Sequence, residues 1–227
     1  MLYTAIIIEP REHKALSFVL NNFLSNLSND WSIIVFHGNN NIDYLNNIIN
    51  NDLLHHITRL SLINLNIDNL TIEEYSNVLK YNKDLYNYIP TEIFLVFQTD
   101  TIIFEINKNL INHFLKYDYV GAPWQHPHNN HQLVGNGGLS LRRKSKMIEI
   151  MEKQGKNDFP EDIYFSCFTD VKLYKPSFEK AKLFSVESVY SSISFGCHKP
   201  WCRDFENKLY DKYYELKELY KYNDIII

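Results

Sequence analysis

Asp100 closes the run Gln98-Thr99-Asp100, directly after the apolar segment Glu92–Phe97. A carboxylate at the end of a buried strand stands where a ligand would bind. One or two such carboxylates, with water, serve a hard divalent cation that bridges two phosphates. Alone, the same Asp reads as a turn or a helix cap. Glu161-Asp162 follows Phe159-Pro160 and opens a helix-forming run. Acids in a first helical turn are favoured by the helix dipole alone; a general base that deprotonates a sugar hydroxyl is the functional reading. The stretch from Val134 to Arg142, Val-Gly-Asn-Gly-Gly-Leu-Ser-Leu-Arg, holds three of the seven glycines. Such glycines let backbone approach a ligand closely or adopt φ > 0. A Gly-Gly pair by itself is usually a turn. Beside the aromatic turn Gly121-Ala122-Pro123-Trp124 and the acidic pair, it points to a sugar-handling site.

Phe195-Gly196-Cys197-His198-Lys199-Pro200-Trp201 is another constellation. Histidine is a common metal ligand, lysine a compact charge for phosphate, and tryptophan an apolar face for a sugar or base. A zinc site from Cys197, His198 and Cys202 lacks the usual ligand spacing. Glu9-Pro10-Arg11 and His37-Gly38 follow two apolar runs, so both fall on one edge of a sheet. Arg11 reads equally as a phosphate or base partner and as half of a structural ion pair. His55, His56 and His113 read as surface or helix residues. His126, His128 and His131 lie in a polar loop.

The chain has 227 residues, 45% hydrophobic and 22% charged, with a net charge of -4. That is ordinary globular composition with room for a sizeable core. Without a long basic run, nucleic acid is not the default partner. Three cysteines without paired CxxC spacing argue against a disulfide framework and for a reducing, intracellular setting. The first residues lack a basic segment, and their apolar run is too short for a signal peptide. No stretch reaches the roughly 18 apolar residues of a membrane span. A cytoplasmic location is expected. The abundance of Asn, Ile, Lys and Tyr reflects an AT-rich genome more than a function.

Periodicity supplies the elements that position these residues. Strands are expected at Tyr3–Ile8, Trp31–Phe36, Arg59–Leu65 and Glu92–Phe97, with helices at Lys14–Leu27, Asp43–Ile49 and from Thr71 to Lys80. Thr71 and Glu74 form a capping-box pattern. The alternation implies a mainly parallel sheet sandwiched by helices. Strands near Tyr117–Gly121, Gly138–Arg142 and Lys182–Glu187 follow. Helices are expected at Lys144–Gln154, Glu161–Phe168 and Arg203–Tyr222, the last with Phe205 on its apolar face. No linker is visible. One domain over 1–227 is expected, with 1–104 as a nucleotide-binding half and 105–227 as an acceptor and catalytic half.

Taken in order, the segments resemble one family. They are Ile8 to Arg11, Trp31 to Gly38, Phe97 to Asp100, Tyr117 to Trp124 and Val134 to Arg142. Pro160 to Asp162, Phe184 to Glu187 and Phe195 to Trp201 complete the set. The chain resembles a domain-of-unknown-function family of glycosyltransferase type found in bacteria, fungi and giant viruses. The resemblance covers the chain nearly end to end, and the Asn-rich composition suits a giant-virus member.

The resemblance implies a single α/β domain of the GT-A-like fold that binds a nucleotide-sugar. In that fold a DxD-like motif holds Mn²⁺ or Mg²⁺ on the donor diphosphate. Here Asp100 is its last acid and Gln98 stands in place of the first, which puts the metal requirement in question. His198 is implied as a further metal ligand and Lys199 as a partner of the diphosphate, by similarity to glycogenin-type enzymes. Those enzymes are retaining. A Gly-Gly segment followed by Glu-Asp looks instead like inverting enzymes, with Asp162 as base and Glu161 binding donor or acceptor hydroxyls. Inversion is the favoured outcome. Glu9, Arg11, His37 and Gly38 are expected at the nucleotide, most readily UDP. Asn136, Gly137 and Gly138 shape the sugar pocket, and Trp124 and Trp201 stack on sugar rings. A glycan or a protein-linked acceptor is expected. A sugar nucleotidyltransferase shares the architecture but needs a Gly-rich loop where Glu9-Pro10-Arg11 stands. A non-catalytic glycan-binding protein would need neither Asp100 nor Asp162. The last helix packs on its own domain or on a twin.

Overall fold

The computed structural model describes residues 1–128, 133–202 and 206–225. The early strands are β1 (Tyr3–Ile8), β2 (Trp31–His37), β3 (Leu60–Asn64), β4 (Ile93–Val96) and β5 (Thr101–Ile103). The later ones are β6 (Tyr119–Gly121), β7 (Ser140–Arg143), β8 (Ser185–Val186) and β9 (Gly196–His198). Helices α1 (Leu16–Asn26), α2 (Ile42–Ile48), α3 (Ile72–Tyr81) and α4 (Lys83–Asn87) serve the first half. The second has α5 (Lys144–Lys153), α6 (Glu161–Ser166), α7 (Phe178–Ala181), α8 (Glu206–Tyr210) and α9 (Glu215–Tyr222).

A six-stranded sheet runs in the order β3-β2-β1-β4-β7-β6. The first four strands are parallel; β7 lies antiparallel to β4 and to β6. The isoleucines of β1 explain why the sheet is central. Ala5 and Ile7 join a core with α1 and α9, while Ile6 and Ile8 join a second core with α3, α5 and α6. A strand buried on both faces reads as a continuous apolar run rather than an alternating one. The Thr71–Glu74 capping box forms both of its hydrogen bonds at the start of α3. Among the described residues no helix is long and apolar enough to cross a membrane.

Strand order reverses between β1 and β4, since β1 leads outward to β2 and β3 while β4 leads to β7. Parallel sheets open a crevice at such a switch, beyond the carboxyl ends of the strands. Glu9-Pro10-Arg11 leaves β1 there, and Gln98-Thr99-Asp100 leaves β4.

Two features differ from expectation. The expected last helix is two, α8 and α9. Between them Tyr213 stacks on Phe104 at 3.7 Å and donates its hydroxyl to the Ser192 carbonyl at 2.9 Å, which draws the chain inward. Phe205 lies outside the described residues. The second feature is a separate three-stranded sheet, β5-β9-β8. Neither β5 nor β9 was expected, because each is three residues beside polar or turn-forming neighbours, with no period to read.

Candidate active site

A cleft of about 250 Å³ opens at the switch point. Glu9 and Arg11 line it from β1, Gln98, Thr99 and Asp100 from β4, Leu70, Thr71, Ile72 and Tyr75 from α3 and its approach, and Lys199 from the end of β9. Glu9 is buried and accepts from Arg11 through both oxygens, Nε–H at 2.8 Å and Nη2–H at 2.8 Å. The pairing raises the guanidinium pKa further. Buried Asn41 ties the two strand-end loops together. Its amide donates to the Glu9 and Arg11 carbonyls at 2.9 and 3.1 Å and accepts from Gly38 N–H at 3.0 Å.

The small sheet builds the other wall of the site. In the antiparallel pair, Thr101 faces His198, so Asp100 and Lys199 meet just beyond the ladder. Lys199 N–H donates to the Asp100 carbonyl at 3.1 Å, and its Nζ lies 3.6 Å from Asp100 Oδ2. In the parallel pair, Val186 faces Cys197, which puts Glu187 next to His198. His198 therefore sits between two carboxylates: Nε2 is 3.3 Å from Asp100 Oδ1, and Nδ1 is 3.3 Å from Glu187 Oε1. Burial opposes the charged forms, but the pairing outweighs it, holding Asp100 low and pushing His198 up. Lys199 is held at φ 44, a left-handed conformation that a side chain adopts only at a cost of about 1–2 kcal/mol. Backbone strain of that kind gathers at functional sites.

The glycine loop joins this wall to the acidic pair. A Cβ on Gly138 would overlap the His198 ring, and one on Gly137 would overlap Glu161 and crowd Asp162. Only glycine allows the loop to lie flat between them. Asn136 accepts from Gly138 N–H at 3.1 Å and sets the turn. Glu161 is buried against Arg142, with Nη1 2.7 Å from Oε2 and Nη2 3.0 Å from Oε1. Arg142 is fully buried between the Tyr119 and Phe165 rings. Asp162 lies alongside. Burial first, and the Glu161 charge second, raise its carboxyl to about 7. A carboxyl at that value is half ionised near neutrality, as a general base requires.

A chain of packing contacts thus runs from Asp100 at the cleft through His198, Gly138 and Gly137 to Asp162. Several expected residues stand elsewhere. Glu161 was expected to bind sugar hydroxyls, but Arg142 holds both its oxygens. His37 and Gly38 do not line the cleft. His37 Nδ1 bonds the Gly38 carbonyl at 2.7 Å, and Gly38 packs on Pro10 and the Ile67 carbonyl, behind the wall. Trp201 packs edge-on against Tyr220 of α9 at 5.3 Å. Trp124 is half-buried, with Gly135 beneath its ring and His128 edge-on at 4.3 Å. His126 is exposed, and His131 lies outside the described residues. Cys197 is buried in the core on the other face of β9, away from a zinc set with His198 and Cys202. Sequence reasoning missed Asn41, Tyr75, Arg142 and Glu187. Arg142 carried a signal: a charge within β7, directly after Leu139-Ser140-Leu141, demands a partner if the strand is buried.

The orphaned polar atoms of the site bear on a metal ion. Asp100 Oδ1 and both His198 nitrogens are buried and meet only long 3.3 Å pairings, outside good hydrogen-bond geometry. Oxygen and nitrogen donors 3.3 Å apart suit two adjacent positions around one divalent cation. Among the described residues no cluster of three or more His, Cys, Asp or Glu forms a ready-made cage. Two protein donors, with diphosphate oxygens and water completing the shell, fit Mg²⁺ or Mn²⁺.

Residues 59–198, well over half the chain, match DUF5672, a family described as protein of unknown function. The chain belongs to this family. Asp100, Gly137, Gly138, Glu161, Asp162, Glu187 and His198 fall within the DUF5672 segment; Glu9, Arg11 and Lys199 flank it. No curated protein matches the chain. The structure is similar to that of the glycosyltransferase GlyE of Streptococcus pneumoniae TIGR4, with a TM-score of 0.54 at 7% identity. The match covers 95% of this chain and 60% of GlyE, so the chain spans under two thirds of that protein. The shared architecture is the GT-A-like fold. Two other structures align more loosely. HddC of Yersinia pseudotuberculosis has a TM-score of 0.49 at 15% identity, over 77% of this chain and 88% of its own. TarS of S. aureus, in complex with UDP-GlcNAc, has a TM-score of 0.48 at 10% identity, over 78% and 58%.

Proposed function

We propose that this protein is an inverting glycosyltransferase that moves a sugar from a nucleotide-sugar to a hydroxyl acceptor. Residues 1–104 bind the nucleotide and 105–227 the acceptor. The observation that carries the reading is the run of contacts from the switch-point cleft, past Asp100 and His198, to a carboxyl raised to about 7 at Asp162. The fold is one that GlyE uses for glycosyl transfer; fold alone does not establish activity.

The nucleotide lies in the cleft against Arg11, Ile72 and Tyr75. Glu9 spends both oxygens on Arg11, so the cleft offers a guanidinium rather than a free carboxylate. That suits the carbonyl oxygens of uracil, or a phosphate, better than the N–H edge of guanine. UDP is therefore the favoured carrier. Lys199 faces the diphosphate from the cleft rim. Asp100 and His198 would hold a divalent cation, which would supply Lewis-acid neutralisation of the departing diphosphate. The backbone of Asn136, Gly137 and Gly138 borders the transferred sugar, and Trp124 stands at its outer side. Asp162 takes the proton of the acceptor hydroxyl as its oxygen attacks the anomeric carbon. The anomeric C–O bond breaks, and the nucleoside diphosphate leaves with the electron pair. Attack opposite the leaving group inverts the anomeric configuration.

The test is donor turnover, measured as nucleoside diphosphate release from UDP-sugars with a panel of hydroxyl acceptors. Native protein should release UDP, and Asp162→Asn should not, while UDP still binds. Native-like release by Asp162→Asn would remove Asp162 as the base.

A further inference from the structure

Buried polar atoms in folded proteins almost always find good partners, so a cluster held only by long pairings is a candidate ligand site. The cluster in this chain extends beyond Asp100 and His198. Glu187 follows β8 and is half-buried, and its Oε2 is shut off from solvent with no hydrogen-bond partner. Its Oε1 lies 3.3 Å from His198 Nδ1, on the opposite edge of the ring from Asp100. The ring packs directly on Gly138, where a Cβ would overlap it.

We infer that Glu187 is a positioning residue for the cation: it accepts the Nδ1–H of His198 and so commits the Nε2 lone pair to the metal beside Asp100. The inference rests on the reading of Asp100 and His198 as the metal-binding pair. An imidazole has one ring nitrogen to donate and one to ligate, and the partner of the first decides which is which. A carboxylate on the outer nitrogen fixes the ring and makes the inner nitrogen more basic; removing it costs ten- to a hundredfold in metal affinity, as an order of magnitude. The parallel register of β8 and β9 places Glu187 there through main-chain pairing, independent of any metal.

Calorimetric Mn²⁺ titration of nucleotide-free protein tests this without relying on turnover. Glu187→Ala should weaken Mn²⁺ binding by about ten- to a hundredfold. Glu187→Gln, whose amide oxygen still accepts from Nδ1–H, should lose less. UDP affinity in metal-free buffer should match native in both. Native Mn²⁺ affinity in Glu187→Ala would overturn the inference; if that variant does not fold, native affinity in Glu187→Gln would do so. Absence of Mn²⁺ binding by native protein would overturn it together with the metal pair. UDP binding in that same sample would show that the donor reading survives, and its absence with and without metal would show that the donor reading has failed as well.

Discussion

Arg142 holds both carboxylate oxygens of Glu161, at 2.7 and 3.0 Å, in a fully buried pair. The adjacent Asp162 has no such counter-ion. Two neighbouring acids are thereby divided. Glu161 is neutralised and fixes the start of α6, while Asp162 keeps a raised pKa and stands beside the glycine loop. The division yields distinct outcomes for substitutions one residue apart.

Transfer should depend on pH through Asp162. With its carboxyl raised to about 7, the base is ionised above that value and protonated below it. Rates of UDP release should climb from pH 5.5 to 7.5 and level off above. Asp162→Asn should lower the plateau rate by about 10²- to 10⁴-fold, with a smaller deficit at pH 5.5, where native Asp162 is itself mostly protonated. A flat native profile would remove the assignment.

The same shift makes a claim about stability. The folded carboxyl stands above its ordinary 3.8, so the folded state keeps a proton that the unfolded chain has already lost. Charging it costs stability progressively between pH 3.8 and about 7, and by a constant amount above. Asp162→Asn, which cannot charge, should therefore melt higher than native at pH 8, with the gain shrinking towards pH 4. Parallel melting curves at all pH values would contradict the burial of this acid.

Glu161→Gln should act on stability first. It leaves the Arg142 guanidinium buried without a counter-charge, which costs about 3–5 kcal/mol. For a chain of this size that is a melting temperature lower by roughly 10 °C. Denaturant unfolding of the single variant and of Glu161→Gln with Arg142→Met would separate the two effects. The double variant should recover most of the loss, because no unpaired charge remains.

Asn41→Ala should weaken nucleotide binding from outside the cleft. It strips partners from the Glu9 and Arg11 carbonyls and from Gly38 N–H. Unpaired buried groups cost about 1–3 kcal/mol. UDP affinity should fall with the looser loops, whereas Asn41→Asp, which still accepts from Gly38, should fall less. Equal UDP affinity in native protein and Asn41→Ala would show that this tie does not shape the cleft.

The repeating half of the fold was legible because its signals are long. The strand Tyr3–Ile8 appears with its expected bounds, and Thr71–Glu74 caps α3 as its spacing requires. Chemistry-bearing residues at strand ends were visible for the same reason: Asp100 follows an apolar run that only a buried strand explains. Of the small sheet only β8 was visible, inside the strand expected at Lys182–Glu187; β5 and β9 were not, so the meeting of Asp100, Glu187 and His198 is a tertiary fact. Sequence also could not divide Glu161 from Asp162, since the distinction comes from Arg142 on a neighbouring strand. The expectation for His37 and Gly38 failed for a related reason. Sharing a sheet edge does not make a residue line the cleft when a neighbouring loop, here Pro10 and Ile67, covers it.

Thermal shift of the full chain with UDP, GDP and CMP, each with and without Mn²⁺, tests the central claim most directly. The account predicts stabilisation by UDP that Mn²⁺ enlarges, and a loss of the Mn²⁺ increment in Asp100→Asn. No shift with any nucleotide, with or without Mn²⁺, would contradict a nucleotide-sugar site at the switch-point cleft.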